Sequence, residues 1–580
     1  MEKIKAVAAS PGVGLGRVVV YVEPDLNFGG LVYSGREKEI ARLELAVTAF
    51  KEQITLLAAE TEAKAGKQQA AILTGQIAMI SDPFMITQME ELIGQGRTAE
   101  AAVSEVTTSF KEMFANVEDE KMRQRATDIG DLRKRLLMIL MEVKELDLAS
   151  IGPDSVVVGE DLPASVITSL PTANIQALVS EIGGYTSHGA IMARALGLPL
   201  VSGVTGLMKL ITTGDHEIIV DGTKGEAIVD PDENAKTEYR LRREAWREEQ
   251  SSLKVFLGRQ TVDGDGVRRT LSSNISSFAE AKLAQGAGAD GIGLFRTEFL
   301  FLDRETLPGE EEQFRVYSEV ASLFPNSEVV IRTLDVGGDK EVPALDLPKE
   351  DNPFLGYRAI RFCLDHTEIF SSQLRAILRA GAEHGNIKIM LPLVTSLEEI
   401  TSARALMKQC LDDLKRENLP CDPAIQLGIM VETPAAVLLA DILAKEADFF
   451  SIGTNDLTQY ILAADRGNSK LGHLNSPFHP AVLRAIENII KTGRKRSIPV
   501  SLCGEAGADP MMIPLLMAYG LDKFSVSPSS LASVRREIST WRLTEANSLA
   551  NEVRDFPTTG SVKAHLLQVI ENRRKLRTIA

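Results

Sequence analysis

The spacing of apolar and polar residues predicts a long helical stretch between residues 34 and 145. Its apolar residues recur every three or four positions, which is the repeat of an amphipathic helix. The first such stripe consists of Ile40, Leu43, Val47, Phe50, Ile54 and Leu57. Helix-breaking residues at 81–83 and 94–96 interrupt the repeat. We therefore expect several helices that pack as antiparallel hairpins.

Short apolar runs on either side of this stretch predict β-strands. Residues 5–21 are expected to form two strands around a turn at Pro11. Five further strands are expected after the helices, at residues 155–158, 177–179, 200–201, 218–220 and 227–229. Residues 1–20 and 146–230 would then form one α/β domain, with a helical domain of residues 21–145 inserted into it.

The pattern changes again after a charged segment, residues 231–255, which predicts a linker helix. Beyond it, apolar runs alternate with helix-like segments such as residues 396–417 and 434–445. The eight predicted strands are residues 270–272, 291–294, 329–331, 388–391, 426–430, 449–452, 500–502 and 523–526. Eight β/α units of this length favour a (β/α)8 TIM barrel over residues 256–580. An open doubly wound sheet is the alternative.

Composition and charge narrow the class of protein. A chain of 580 residues has room for several domains, because single cores rarely grow beyond about 250–300 residues. We find no apolar run long enough to span a membrane and no signal-peptide core, so we expect a cytoplasmic protein without membrane insertion. The net charge of −16 argues against nucleic-acid binding, although it is compatible with a basic protein partner. The four cysteines are too scattered for a disulfide framework.

One of the seven histidines, His188, lies in a distinctive setting. Two glycines precede it closely, and Thr186 and Ser187 place hydroxyl groups beside the imidazole. Residues from Ala190 onward predict a helix, so His188 would lie near a helix N-terminus, where backbone N–H groups favour anions. A neutral imidazole nitrogen is also a good nucleophile toward phosphorus. Taken alone, a buried histidine with a structural role explains this segment equally well.

Charged and polar residues follow several of the predicted barrel strands. Because the carboxyl ends of barrel strands meet at one rim, we expect these side chains to converge. They are Arg296, Arg332, Glu432, Asn455, Asp456, Arg466 and Cys503. Each has a structural alternative; Arg332 and Asp335, for example, are able to form a simple ion pair.

The residue types at this rim indicate the kind of ligand. Three arginines favour a highly charged anion, since guanidinium groups match phosphate and carboxylate oxygens. Glu432 and Asp456 are hard oxygen ligands, which suit Mg²⁺ bound jointly by the protein and a substrate phosphate. The thiol of Cys503 is able to protonate carbon or to act as a nucleophile. The rim therefore predicts a phosphorylated, acidic small substrate bound with Mg²⁺, and a separate domain carries the reactive histidine.

Several long motifs resemble those of a known family. Residues 183–194, GGYTSHGAIMAR, resemble the phosphohistidine signature of the phosphoenolpyruvate-utilising enzymes. Three more segments are similar to the barrel signatures of that family: DGIGLFRTEFLF at 290–301, VETPAA at 431–436 and FFSIGTNDLTQY at 449–460. Within the family, the arrangement resembles enzyme I of the bacterial phosphoenolpyruvate–sugar phosphotransferase system, because nothing before His188 resembles the ATP-grasp domain of the dikinases. One departure is Gly189-Ala190, where sugar-system members often carry Thr-Ser.

The resemblance implies a role for each candidate residue. Phosphoenolpyruvate would bind in the barrel through Arg296, Arg332, Asn455, Asp456 and Arg466. Mg²⁺ would be held by Glu432 and Asp456. His188 would take the phosphoryl group, and Cys503 would protonate the enolate to give pyruvate.

The resemblance also implies partners. Phosphohistidine would pass its phosphoryl group to the phosphocarrier HPr, with the helical domain, including the bend at residues 75–82, as the docking surface. The barrel would form a homodimer, and the histidine domain would swing about a boundary near residue 255. Two alternatives remain open: a phosphohistidine dikinase, which would bind ATP tightly, and a signalling scaffold that binds phosphoenolpyruvate without turnover.

Overall fold

A computed structural model of the chain describes residues 2–22, 26–65, 77, 79–115, 120–143, 148–184, 187–211, 215–302, 306–337, 342–345, 350–466, 468 and 471–579. The chain divides into two units, Met1–Arg243 and Glu244–Ala580. None of the helices in the described ranges is both long enough and apolar enough to cross a membrane.

An eight-stranded mixed sheet organises the first unit, in the order β1-β8-β7-β3-β4-β5-β6-β2. Its strands are β1 Glu2–Lys5, β2 Val7–Ser10, β3 Val13–Tyr21, β4 Ser155–Gly159, β5 Ile175–Ser180, β6 Leu200–Ser202, β7 Glu217–Asp221 and β8 Glu226–Val229. Every predicted strand of this unit is present. The structure adds β1, whose polar sequence gave no strand signal and which pairs antiparallel with β8. Strands β3 to β6 run parallel to one another in the middle of the sheet.

The inserted helices pack around their own core, as their apolar stripes predict. The described helices of this insert are α1 Arg36–Ala65, α2 Pro83–Gly94, α3 Ala99–Ala115 and α4 Glu120–Leu140. Leu43, Phe50 and Ile54 of the predicted stripe are each 1% exposed. The breaker at residues 81–83 begins α2, because Asp82 accepts a hydrogen bond from the Phe84 backbone and Pro83 occupies the first turn.

Three further helices belong to this unit, and a fourth extends beyond its end at Arg243. They are α5 Ala164–Ser169, α6 His188–Leu196, α7 Leu207–Leu210 and, extending beyond the unit, α8 Glu233–Leu253. Helices α5 and α6 bury Ile167, Ala190 and Ala193 against the sheet. The predicted linker helix corresponds to α8. Its charged sequence suggests full exposure, but Tyr239 is buried against Ile219 and Ile228, so the first half of α8 packs on the sheet.

A closed barrel of eight parallel strands forms the core of the second unit. The strands are β9 Thr270–Ile275, β10 Ile292–Arg296, β11 Val329–Arg332, β12 Ile387–Leu391, β13 Gln426–Val431, β14 Phe450–Ile452, β15 Val500–Leu502 and β16 Lys523–Val526. All eight predicted strands are present. The TIM barrel is confirmed, because β16 pairs with β9 and closes the sheet; this pairing excludes the open doubly wound alternative.

Helices surround the barrel and connect its strands. They are α9 Phe278–Gly286, α10 Glu310–Ser322, α11 Ile360–Asp365, α12 Thr367–His384, α13 Leu397–Arg416, α14 Pro434–Leu438, α15 Ala440–Leu443, α16 Thr454–Leu462, α17 Pro480–Arg496, α18 Met512–Tyr519, α19 Leu531–Ser539, α20 Leu543–Val553 and α21 Thr559–Ile579. The helix predicted over 396–417 is α13, which a Ser396–Glu399 capping box begins. The single helix predicted over 434–445 is wrong: Leu439, with φ −96° and ψ 8°, separates α14 from α15.

Candidate active site

His188 is the first residue of α6. Ser187 caps this helix, since its hydroxyl accepts a hydrogen bond from the Ala190 backbone N–H at 3.2 Å. The backbone of His188 therefore lies at a helix N-terminus, as the sequence predicts. The structure does not describe the His188 side chain, and Tyr185 and Thr186 of the same motif lie outside the described residues.

The chain before His188 rests on buried hydroxyl groups. Gly183 has φ +117°, a conformation that favours glycine. The hydroxyls of Ser180, Ser187 and Ser202 all lie 3.6–3.7 Å from the position that a Cβ at residue 183 would occupy. Ser180 donates a hydrogen bond to Ser202 at 3.1 Å, and both side chains are buried.

The departure at Gly189 has a local structural reason. A Cβ at this position would lie 2.4 Å from the backbone oxygen of Leu162 and 3.3 Å from Cδ1 of Ile167. Only glycine therefore fits between α6 and the loop that carries Leu162. Ala190 is fully buried, so a hydroxyl-bearing residue there would also enter a closely packed core.

In the barrel, the predicted residues lie at the carboxyl ends of the strands. Arg296 and Arg332 are the last residues of β10 and β11, and they stand opposite each other in the strand register. Glu432 directly follows β13, and Cys503 directly follows β15. The remaining residues, Asn455, Asp456 and Arg466, lie in α16 or after it.

Arg332 is buried and held by two carboxylates. Its Nη2 lies 2.5 Å from Oε1 of Glu298 and 3.1 Å from Oδ2 of Asp335. The ion pair with Asp335 that the sequence suggested as a structural alternative is thus present. Nε of Arg332 is buried and has no hydrogen-bond partner among the described residues, so this nitrogen keeps a donor in reserve. Burial opposes the charge of Arg332, but the surrounding carboxylates raise its pKa above the usual arginine value.

Arg358, which the sequence analysis missed, joins this network. Its Nη2 lies 2.7 Å from Asp335 and 3.4 Å from Asp456, and its side chain is 1% exposed. Arg358 precedes α11 and follows no strand end, so strand-end reasoning does not find it. On the other side, Nη1 of Arg466 lies 2.8 Å from Oδ1 of Asp456.

Glu432 and Asp456 carry buried carboxylates with incomplete partners. Oε1 of Glu432 accepts a hydrogen bond from the Leu393 backbone at 2.7 Å. Burial, together with the nearby charges of Asp456 and Asp335, raises the pKa of Glu432 to about 8. Oδ1 of Asp456 is buried and accepts no hydrogen bond from a described residue, because its contact with Arg466 lacks hydrogen-bond geometry. These oxygens suit a hard cation.

The side chains that the structure describes do not by themselves surround a metal ion. Within the described ranges, no cluster of three His, Cys, Asp or Glu side chains is arranged to hold one. Glu432 and Asp456 therefore offer a partial set of ligands, and a bound substrate would have to complete it. Their chemistry fits Mg²⁺, which commonly takes one or two carboxylates together with substrate oxygens.

Cys503 lies in the apolar interior of the barrel, 3% exposed, beside Met390 and Met430. The hydroxyl of Ser451 donates a hydrogen bond to its Sγ at 3.2 Å. Burial raises the pKa of the Cys503 thiol, and the hydrogen bond from Ser451 opposes this rise. The amide of Asn274 donates to the Cys503 carbonyl at 2.8 Å and fixes the backbone.

Two predicted ligands differ in how far they are already engaged. Asn455 exchanges hydrogen bonds of 3.2 Å with the Glu505 side chain and backbone. The Arg296 side chain, by contrast, makes neither an ion pair nor a hydrogen bond with any described residue and is partly exposed. A free guanidinium at the barrel mouth is available to an anion without displacing a carboxylate.

Comparison with known proteins decides the family. Three sequence profiles match in order: PEP-utilising enzyme, N-terminal, over residues 5–125, the mobile domain over residues 151–225 and the PEP-binding domain over residues 250–543. The chain belongs to the PEP-utilising enzymes. These matches confirm the family membership that the motifs around His188 and in the barrel predict.

Individual PEP-utilising enzymes match this chain over nearly its whole length. The phosphoenolpyruvate-protein phosphotransferase of Staphylococcus epidermidis is 40% identical over 561 residues, 96% of this chain and 98% of the relative. That of Geobacillus stearothermophilus is 39% identical over 562 residues, 97% of each chain. A solution structure of enzyme I (nEIt) aligns with 42% of this chain and 99% of its own, at 30% identity and a TM-score of 0.36. That score is too low to bear on the fold, which the strand pairing establishes.

Proposed function

We propose that this chain transfers the phosphoryl group of phosphoenolpyruvate to its own His188 and then to a histidine of HPr. The observation that carries the proposal is the near-complete alignment with phosphoenolpyruvate-protein phosphotransferases, joined to a barrel mouth rich in arginines and carboxylates. These two transfers would be the first step of a sugar phosphotransferase system in the cytoplasm. The reaction needs a phosphate site, a nucleophile and a proton donor, and the chain has a candidate for each.

The phosphate of the substrate is bound by Arg296, Arg332 and Arg466, with Asn455 and Asp456 beside them. Arg296 supports this role because it is free of ion pairs within the described part of the chain. Arg332 supports it through a buried Nε that lacks a hydrogen-bond partner there. A guanidinium fixed by carboxylates needs no reorganisation when the phosphoryl group moves, which favours the transition state.

Glu432 and Asp456 are the proposed Mg²⁺ ligands. Burial raises the pKa of Glu432, and so do the negative charges of Asp456 and Asp335, which the neighbouring arginines do not fully compensate. A divalent cation would compensate that charge. When bound, Mg²⁺ neutralises the charge on the transferring phosphoryl group. The Leu393 backbone N–H holds one Glu432 oxygen, which orients the carboxylate.

In the chemical step, a nitrogen of His188 forms a bond to phosphorus while the bond between phosphorus and the enol oxygen breaks. The electron pair of that bond leaves with the enolate, whose methylene carbon takes a proton from Cys503 to give pyruvate. Burial supports Cys503 as this donor, since it raises the thiol pKa and keeps the thiol protonated at neutral pH. Ser451 stabilises the thiolate that remains.

The second transfer needs a protein partner and movement. HPr docks on the helical domain of residues 21–145, where Phe84 and Met113 are exposed apolar side chains. Of the predicted contact at residues 75–82, positions 75, 76 and 78 lie outside the described residues. Because His188 serves two partners in turn, its domain swings about the segment that ends near residue 255. The barrel of residues 256–580 forms the homodimer.

Labelling tests the first transfer directly. Phosphoenolpyruvate labelled at phosphorus, with Mg²⁺, is expected to give acid-labile label on the protein, and added HPr is expected to remove it. His188→Ala should abolish the label. His216→Ala is the matched control, because His216 lies in the same unit and its Nδ1 already contacts Asp230 at 2.9 Å. Full labelling of His188→Ala would contradict the assignment of His188 as the nucleophile. A native protein that binds phosphoenolpyruvate but takes up no label would indicate a signalling scaffold without turnover.

A further inference from the structure

A buried glutamine, Gln373, joins the ends of the two strands that carry Arg296 and Arg332. It lies on α12 and is 1% exposed. Its Oε1 accepts a hydrogen bond from the Leu334 backbone at 2.9 Å. Its Nε2 donates to the hydroxyls of Thr297 at 3.1 Å and Tyr317 at 3.2 Å. Every polar atom of this amide is therefore engaged.

Thr297 completes the connection between the two strands. It directly follows Arg296, is fully buried, and donates its own hydroxyl proton to the carbonyl oxygen of Arg332 at 2.8 Å. The β10–β11 ladder ends with the pair Arg296 and Arg332. The hydrogen bonds of Thr297 and Gln373 thus continue the link between β10 and β11 just beyond the last paired residues of the two strands.

The surroundings leave this link little freedom. The Tyr317 hydroxyl donates to Gln313 at 3.0 Å, and Gln313 in turn donates to the Pro308 carbonyl at 3.0 Å. Tyr317 and Gln313 are at most 1% exposed. A fully satisfied polar network in an apolar core is rigid, since any other arrangement would strand a buried donor or acceptor.

We propose that Thr297 and Gln373 are positioning residues that set the spacing of the two arginines that bind the substrate phosphate. This inference rests on the proposed function. We place neither side chain at the reacting atoms. Thr297 acts through the Arg332 carbonyl, and Gln373 acts through the Thr297 hydroxyl and the backbone of Leu334, two residues after Arg332. Affinity for a phosphate held by two guanidinium groups depends steeply on their separation, because each contact requires hydrogen-bond geometry at both ends.

Two substitutions remove the link and one retains it. Thr297→Val keeps the branched shape but removes the hydroxyl, whereas Thr297→Ser keeps the hydroxyl. Gln373→Met removes the amide at similar length, and it serves as the second test if Thr297→Val fails to fold. The matched control is Asn386→Leu, because the Asn386 amide anchors three backbone carbonyls, those of Ala321, Phe324 and Ser327, at the opposite end of the barrel.

The measurement is the affinity of the full-length protein for phosphoenolpyruvate with Mg²⁺, by titration calorimetry, together with KM, kcat and the melting temperature. We expect Thr297→Val and Gln373→Met to weaken binding and raise KM about tenfold, the effect of weakening roughly one charge-assisted contact between a guanidinium group and the phosphate. Thr297→Ser should stay within about twofold of the native protein. Asn386→Leu should lower the melting temperature without changing affinity.

The outcomes separate this inference from the function on which it rests. Native affinity in both Thr297→Val and Gln373→Met would overturn it, and so would an equal loss in Thr297→Ser. If Asn386→Leu weakens binding to the same extent, the effect is general destabilisation and the inference is wrong. A native protein that binds no phosphoenolpyruvate would instead overturn the proposed function, and the inference would fall with it.

Discussion

Replacing Gly189 by alanine tests whether the close approach of α6 to the Leu162 loop positions His188. The added Cβ would lie 2.4 Å from the Leu162 backbone oxygen, about 1 Å inside normal contact. A backbone oxygen cannot rotate away, so either α6 or the loop must shift. Such overpacking typically costs about 1–3 kcal/mol. Losing a glycine returns only about 0.4–1 kcal/mol through the unfolded chain, so we expect a net loss of about 1–2 kcal/mol.

Calorimetry and phosphoryl exchange measure this effect. For a domain of this size, each kcal/mol shifts the melting temperature by about 2–4 °C, so the transition of the first unit should fall by roughly 3–6 °C. Exchange between His188 and phosphorylated HPr should slow, because residue 189 is adjacent to the nucleophile. Gly152→Ala is the matched control, since no atom lies within 4 Å of its added Cβ. A Gly189→Ala protein with native melting temperature and exchange rate would refute the reasoning.

Three further predictions concern the chemistry and the division of the chain. Cys503→Ala should slow pyruvate formation severely yet keep phosphorylation of His188 from phosphorylated HPr; native turnover of phosphoenolpyruvate would show that the thiol only packs. In the metal-free protein, the pKa of Glu432 is raised from 4.5 to about 8, so the folded state holds a proton that the unfolded state loses between these pH values. The free energy of unfolding should therefore fall as the pH rises from about 4.5 to 8, by up to about 1.4 kcal/mol per pH unit. Glu432→Gln should lose this dependence, measured by melting temperature against pH, and an unchanged profile would contradict the shift. A fragment of residues 1–255 should exchange phosphoryl groups with HPr but take none from phosphoenolpyruvate. If the fragment phosphorylates itself from phosphoenolpyruvate, the substrate site lies in the first unit and the proposed site in the barrel is wrong.

The barrel was predictable from sequence because its strands are short, continuously apolar runs. Buried parallel strands need no polar face, so runs such as 329–331 stand out between helical segments. The strand β1 was not predictable in this way, since its alternating charged sequence resembles a surface segment. The break at Leu439 also left no signal, because the apolar pattern continues through it from α14 into α15.

The convergence of charged residues at the barrel mouth was predictable where a residue ends or closely follows a strand. Arg296 and Arg332 end their strands and Glu432 directly follows one, and the topology of a barrel then brings them to one rim. Arg358 belongs to a loop, and its carboxylate partners are 23 and 98 residues away along the chain. Gln373 lies on the inner face of a helix, where its only signal is a polar residue at a core position. Such contacts depend on tertiary packing, which periodicity does not encode.

The charges at the barrel mouth suggest why the anion and the metal should bind together. Arg296, Arg332, Arg358 and Arg466 are accompanied by the carboxylates of Glu298, Asp335, Glu432 and Asp456. With Glu432 protonated below a pH of about 8, the positive groups outnumber the negative ones, and the mouth attracts a phosphorylated anion. A divalent cation at the proposed ligands Glu432 and Asp456 would have to displace this proton. An anion held by the arginines would add its own oxygen ligands to those of Glu432 and Asp456. The bound anion should therefore strengthen the binding of the cation, and by linkage the cation should strengthen the binding of the anion to the same extent.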